Sequence, residues 1–132
     1  MEQGKRITID AHSLIWYVHK DSNMKLSKMA FDTIYEAVNF GTVYVPIVAL
    51  LEILWLIEKG KYPLSFESFK DILKRNVAFE IMPLTYELME LSESLKGVEL
   101  HDRVIVATAI MTDTELVTKD LAISKAYNRV IW

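Results

Sequence analysis

Arg6-Ile7-Thr8-Ile9-Asp10 is the stretch from which the rest of the chain can be read. Its residues alternate in polarity and are rich in β-branched side chains, so it reads as a strand with an acid at its carboxyl end. Leu14, Ile15 and Val18 then mark a short helix, and Leu26, Ala30, Ile34, Ala37 and Val38 mark a second, with Gly41 where a C-cap belongs. Thr42 to Val45 reads as a second strand stopped by Pro46. Ile47 to Lys59 reads as a very apolar helix ended by Gly60. Ser65 is placed to N-cap a helix carrying Phe66, Phe69 and Leu73. Val77 to Met82 is expected as a third strand closed by Pro83, and Thr85 to cap a helix with Leu88, Leu91 and Leu95 that ends at Gly97. Val104 to Met111 is apolar all round, so periodicity alone does not separate a buried helix from a buried strand. Asp102 as N-cap and a length near ten residues favour a helix. Glu115 to Thr118 reads as a fourth strand, a short helix follows Asp120, and Val130 to Trp132 reads as a fifth strand. Strands alternating with helices predict an α/β fold, a doubly wound and mostly parallel sheet of four to five strands, in a single domain over residues 1–132.

At 52% hydrophobic and 25% charged residues the chain can bury a core and is not a disordered tail. It has no cysteine, which excludes disulfides and thiolate metal sites and suits a reducing compartment. Met1 to Arg6 and the short apolar run broken by Asp10 do not form a signal peptide. The greasiest stretch, Val43 to Ile57, is interrupted by Pro46 and Glu52 and falls short of the ~20 apolar residues of a membrane span. A cytoplasmic protein without a membrane partner is expected. The net charge of −3 comes from 18 acids and 15 bases. If four acids occupy one metal site, 14 remain against 15 bases, a nearly neutral surface, so charge neither supports nor excludes a nucleic-acid substrate. The four glycines are scattered, and no phosphate-cradling P-loop or GxGxxG occurs.

Four acids carry the chemical interest. Asp10 and Asp120 follow strands, at the sheet edge where open α/β folds bind ligands. Each, like Asp102, has the ordinary alternative of a turn or N-cap residue. Glu52 is different, because its helical neighbours Val48, Ala49, Trp55 and Leu56 are all apolar. A carboxylate on a face meant for burial needs a lysine or arginine partner, a proton or a metal. Four acids in one pocket would repel one another, and a hard divalent cation removes that conflict. Such a cation, Mg²⁺ or Mn²⁺, points to phosphoryl chemistry rather than zinc hydrolysis. His12, His19 and His101 form no HExxH motif and have no cysteine partner, and no GxSxG elbow exists. His101, beside Asp102, could orient a phosphate or be an ordinary loop residue. Lys119 and Arg103 are equally readable as phosphate contacts and as solvated side chains. Trp16, Trp55, Phe66 and Phe69 sit at helical spacings and are expected as core or dimer contacts rather than base-stacking platforms.

On Ile9-Asp10-Ala11-His12-Ser13-Leu14-Ile15-Trp16, Leu50-Leu51-Glu52-Ile53, Leu100-His101-Asp102 through Ala109, and Leu116-Val117-Thr118-Lys119-Asp120, the chain resembles the PIN domain, and within it the VapC-type toxins of toxin–antitoxin pairs. The resemblance spans the whole chain. It implies a PIN-like three-layer sandwich, a helix after Asp102, and Asp10, Glu52, Asp102 and Asp120 as catalytic acids binding one or two Mg²⁺ or Mn²⁺ ions. It implies cleavage of RNA by metal-activated water, leaving a 5′-phosphate and a 3′-hydroxyl, with Asp10, Asp102 and Asp120 as direct ligands and Glu52 as a ligand or support. Thr118 matches a family hydroxyl that supports the site. Many members carry Ser or Thr directly after the first Asp; this chain has Ala11, and Ser13 is the candidate replacement. The resemblance further implies a homodimer inhibited by a small antitoxin, with apolar area around Trp55, Tyr62, Phe66 and Phe69 for those contacts.

The alternatives are a housekeeping RNA-processing PIN nuclease and a non-catalytic PIN-like interaction module; loss of an acid would mark the latter, and all four are present. A haloacid-dehalogenase-like phosphatase would need a second Asp where His12 stands. A phospho-receiver domain would need an Asp after the third strand, which here ends in Met82-Pro83.

Overall fold

The computed structural model describes residues 4–132; Met1 to Gln3, the start of the stretch weighed as a signal peptide, lie outside it. The elements run β1 (Arg6–Ile9), α1 (Ala11–Val18), a 3₁₀ turn (Lys20–Lys25), α2 (Lys28–Phe40), β2 (Thr42–Pro46), α3 (Ile47–Glu58), α4 (Phe66–Arg75), β3 (Phe79–Met82), α5 (Tyr86–Glu93), α6 (Leu100–Thr112), β4 (Glu115–Val117), α7 (Leu121–Ala126) and β5 (Val130–Ile131). Local chemistry sets most of these boundaries. The hydroxyls of Ser27, Ser65 and Thr85 accept from the backbone N–H groups of Ala30, Ser68 and Leu88, capping α2, α4 and α5. Gly60, at φ +74°, supplies the left-handed residue just past α3.

Several boundaries differ from the sequence reading. The helix expected to carry Leu95 and end at Gly97 stops at Glu93, because Ser94 N–H and its hydroxyl both bond back to the Leu91 carbonyl, and β4 and β5 end one residue early, at Val117 and Ile131. The third strand starts at Phe79 rather than Val77, because Asn76 Oδ1 accepts from Ala78 N–H and holds a turn there. Asp102 is not an N-cap: α6 starts at Leu100, Glu99 holds the cap position, and Asp102 lies inside the first helical turn.

The five strands form one sheet in the order β3-β2-β1-β4-β5, and all four neighbouring pairs are parallel. The chain steps outward from β1 to β3 and then crosses back to place β4 on the other side of β1. The topological switch point therefore lies between β1 and β4, where parallel α/β sheets open a crevice at their carboxyl ends. At the amino ends of these strands Gly41, just before β2, lies so close to Lys5, just before β1, that a Cβ on it would collide with the Lys5 carbonyl.

Helices cover both faces of the sheet, in three layers. Ile7 and Ile9 of β1, Val43 and Val45 of β2 and Val117 of β4 pack with Leu14, Ile34, Ile53 and Phe69 from α1 to α4. Fully burying one such aliphatic side chain is worth about 1.5–3 kcal/mol. Leu116 points the other way, into a second cluster with Ile105, Val106 and Ala109 of α6 and Ile123 of α7. Thr8 is also fully buried, with its hydroxyl 2.7 Å from that of Thr114 and 3.3 Å from that of Thr112. Polar alternation in β1 thus does not mean a solvated face; α6 covers it, and the threonine hydroxyls satisfy one another.

Candidate active site

Asp10 and Asp120 stand on either side of the switch point, one just past β1 and the other just past β4. Asp10 N-caps α1: its Oδ1 accepts from the Ser13 N–H at 2.9 Å. Asp120 N-caps α7, with Oδ1 accepting from the N–H groups of Ala122 (2.8 Å) and Ile123 (3.1 Å). The capping alternative is therefore real for both, and it fixes their orientation while leaving lone pairs toward the crevice. Thr118, fully buried, joins the two. Its hydroxyl donates to Asp10 Oδ2 at 2.5 Å and accepts from the Asp120 N–H at 3.1 Å. The support sought from Ser13 comes through its backbone; the buried Ser13 hydroxyl has no hydrogen-bond partner among the described residues.

The other two acids come from helices. Glu52 projects from the sixth position of α3 and is 25% exposed. Among the described residues no lysine or arginine pairs with it. His12 Nδ1 lies 3.4 Å from its Oε2, and His101 Nε2 lies 3.7 Å from its Oε1. Asp102, 17% exposed, makes no hydrogen bond through its side chain among the described residues, so the capping alternative falls away for it. Its carboxyl is pushed up to about 6, chiefly by burial; His101 pulls it down, while the negative charges of Asp120, Glu52 and Glu99 add to the rise.

All four acids line one open cleft of ≈ 540 Å³, together with Ser13, His12, Trp16, Glu99, His101 and Lys119. No lysine or arginine is within ion-pair distance of any of the four among the described residues. This oxygen-rich donor set, whose neighbouring negative charges add to the rise that burial gives Asp102, fits a hard divalent cation. Of the two basic candidates, Lys119 lines the cleft, whereas the Arg103 guanidinium donates to the Val98 carbonyl at 2.8 Å and is tied to the preceding loop.

The aromatic expectations separate in the same way. Phe69 is fully buried beneath a stacked Phe66, so it offers no docking area; Trp55 is exposed. Trp16 is on the cleft wall, packed against His12, with its indole N–H donating to the Tyr62 hydroxyl at 2.9 Å. Sequence reasoning did not single out Glu99, and nothing in its local pattern distinguishes it from any surface acid before a helix.

The sequence pattern of the PIN domain family matches residues 7–128, from inside β1 to beyond α7. The chain belongs to the PIN domain family. No curated protein matches it by sequence. Among solved structures, this PIN domain superposes on a chain of VapBC2 from Rickettsia felis, solved bound to a fragment of promoter DNA. The TM-score is 0.70 at 15% identity, over 95% of this chain and 96% of that one. It superposes equally on a toxin–antitoxin complex from Klebsiella pneumoniae, with a TM-score of 0.70 at 17% identity and 96% of both chains covered. A protein from Pyrobaculum aerophilum is more distant, with a TM-score of 0.56 at 15% identity over 96% of this chain and 87% of that one. At such identities the likeness is one of fold. No helix among the described residues is long and apolar enough to cross a membrane.

Proposed function

We propose that this PIN domain is a divalent-cation-dependent endoribonuclease and the toxin of a toxin–antitoxin pair. The nuclease reading is carried by one observation: Asp10, Glu52, Asp102 and Asp120, from four separate segments, line one cleft, and among the described residues no lysine or arginine lies within ion-pair distance of them. Asp10, Asp102 and Asp120 hold Mg²⁺ or Mn²⁺, and Glu52 completes the set. When bound, such a cation supplies Lewis-acid charge for phosphodiester hydrolysis. Thr118 locks Asp10 in orientation and ties it to Asp120, so the ligands are preorganised by a single buried hydroxyl. Lys119, the cleft's lysine, contacts the substrate phosphate, and Trp16 closes one wall.

The toxin role is supported by fold. The superposition on two toxin–antitoxin complexes runs nearly end to end in both chains. A carboxylate cluster with no lysine or arginine partner among the described residues is also a receptor for an antitoxin arginine, whose guanidinium binds carboxylate through two parallel hydrogen bonds and would compete with the cation. Leu51 and Trp55 lie exposed on α3 near the cleft, an apolar face for the second copy of a homodimer.

The test is cleavage of mixed RNA by the purified chain with Mg²⁺, Mn²⁺ or EDTA. Cleavage is expected with either cation, none in EDTA, and near-complete loss in Asp10→Asn and Glu52→Gln with the fold intact. Undiminished cleavage in EDTA or in Asp10→Asn overturns the nuclease reading. Harmless expression of a cleaving wild type in a bacterial host overturns the toxin role alone.

A further inference from the structure

His101 faces three carboxylates at once. Its Nε2 lies 3.5 Å from Asp102 Oδ1, 3.7 Å from Glu52 Oε1 and 3.8 Å from Glu99 Oε2. None of these is a hydrogen bond, which would bring nitrogen and oxygen to about 2.7–3.2 Å. An imidazole that simply paired with an acid would settle on one oxygen; this nitrogen stays nearly equidistant from three. Ligands around a divalent ion, at metal–ligand distances of about 2.1 Å, stand about 3.0–3.5 Å apart. The separations around His101 are only slightly wider. One ligand atom each from Glu99, His101 and Asp102 lies within 4.8 Å of the others. Glu99 occupies the N-cap position of α6, yet its carboxylate makes no capping hydrogen bond and is free for another role.

We infer that His101, Asp102 and Glu99, with Glu52 at the inner edge, form a mixed imidazole–carboxylate site for a first-row transition-metal dication. This rests on the reading of the cleft as a cation site and extends it to two residues that reading does not use. The site is at a helix N-terminus, whose dipole of about half a positive charge opposes a cation. Three carboxylates around one imidazole outweigh it. The imidazole matters for selectivity: carboxylates alone accept Mg²⁺ readily, whereas a nitrogen ligand favours Mn²⁺, Fe²⁺, Co²⁺ or Zn²⁺. The absence of cysteine removes the thiolates that would tip the site to zinc alone.

Pulsed electron paramagnetic resonance of the full chain loaded with Mn²⁺ tests this without reference to activity. Directly bound imidazole imposes nitrogen-14 modulation on the Mn²⁺ signal. That modulation is expected in wild type and in His12→Gln, which removes the other nearby imidazole, and is expected to vanish in His101→Gln. In the same titrations His101→Gln weakens Mn²⁺ binding by about tenfold or more, while Mg²⁺, which seeks oxygen, changes by less than about twofold. Glu99→Gln, on a side chain 78% exposed, keeps the nitrogen signal and binds Mn²⁺ more weakly. Bound Mn²⁺ without nitrogen coupling in wild type, or coupling that persists in His101→Gln, overturns the inference and leaves the carboxylate site standing. No Mn²⁺ binding at all overturns both.

Discussion

Replacing Thr118 by valine removes one atom's chemistry from the candidate active site while keeping its shape. The side chain is fully buried, and valine leaves no cavity, so the cost comes from hydrogen bonding alone. Two bonds are lost: the hydroxyl's donation to Asp10 Oδ2 and its acceptance from the Asp120 N–H. A hydrogen bond to a charged group is worth about 1.5–3 kcal/mol, and a partly buried N–H left without an acceptor costs about 1 kcal/mol more. Thr118→Val should therefore lose about 2.5–4 kcal/mol in urea unfolding with EDTA present. Thr118→Ser keeps the hydroxyl and loses one buried methyl, about 1 kcal/mol. The same pair should separate in cation affinity, with valine weakening Mg²⁺ or Mn²⁺ binding by about tenfold and serine nearly neutral. A valine variant within about 0.5 kcal/mol of wild type, or a serine variant worse than the valine, refutes the bridging role of this hydroxyl.

Two further outcomes follow from the same geometry. Because Asp102 is raised from 3.8 to about 6, the folded chain without cation retains a proton that the unfolded chain loses, and its stability falls as pH rises through that window. The ceiling is about 3 kcal/mol, about half of that after solvent screening. Asp102→Asn in EDTA should thus be about 1–2 kcal/mol more stable than wild type at pH 7.5, with most of the gap closed at pH 4; a pH-independent difference in the urea midpoint sinks the account. For the proposed homodimer, light scattering should give a dimer mass for wild type and a monomer mass for Leu51→Glu combined with Trp55→Ser, both on the exposed face of α3. A monomeric wild type removes that face from consideration.

The features legible in the sequence were those created by neighbours a few residues apart. Ser65 and Thr85 cap their helices because the accepting oxygen and the donating N–H are three residues apart, and Gly60 ends α3 through its own φ. The strand-end placement of Asp10 and Asp120 is legible in the sequence; in the structure each caps a helix and also lines the cleft, since a capping carboxylate keeps lone pairs to spare. Glu52 was conspicuous because every helical neighbour is apolar, which told that it needed a partner but not which one. Helix starts were less secure: Asp102 looked like a cap only because the true start, Leu100, carries no capping signature.

What the sequence by itself determined is a parallel α/β chain with acids at its strand ends, because strand alternation, helical spacing and turn chemistry are local and repeat with fixed periods. The tertiary structure alone decided which distant segments meet. It put β4 beside β1, so that Thr118 reaches across 108 residues to Asp10. It laid α6 over Thr8, burying a side chain that alternation would leave wet. It brought His101 beside Glu52. Those contacts depend on sheet order and helix packing, which are set by the summed burial of the whole core, and no local pattern around any one of these residues encodes them.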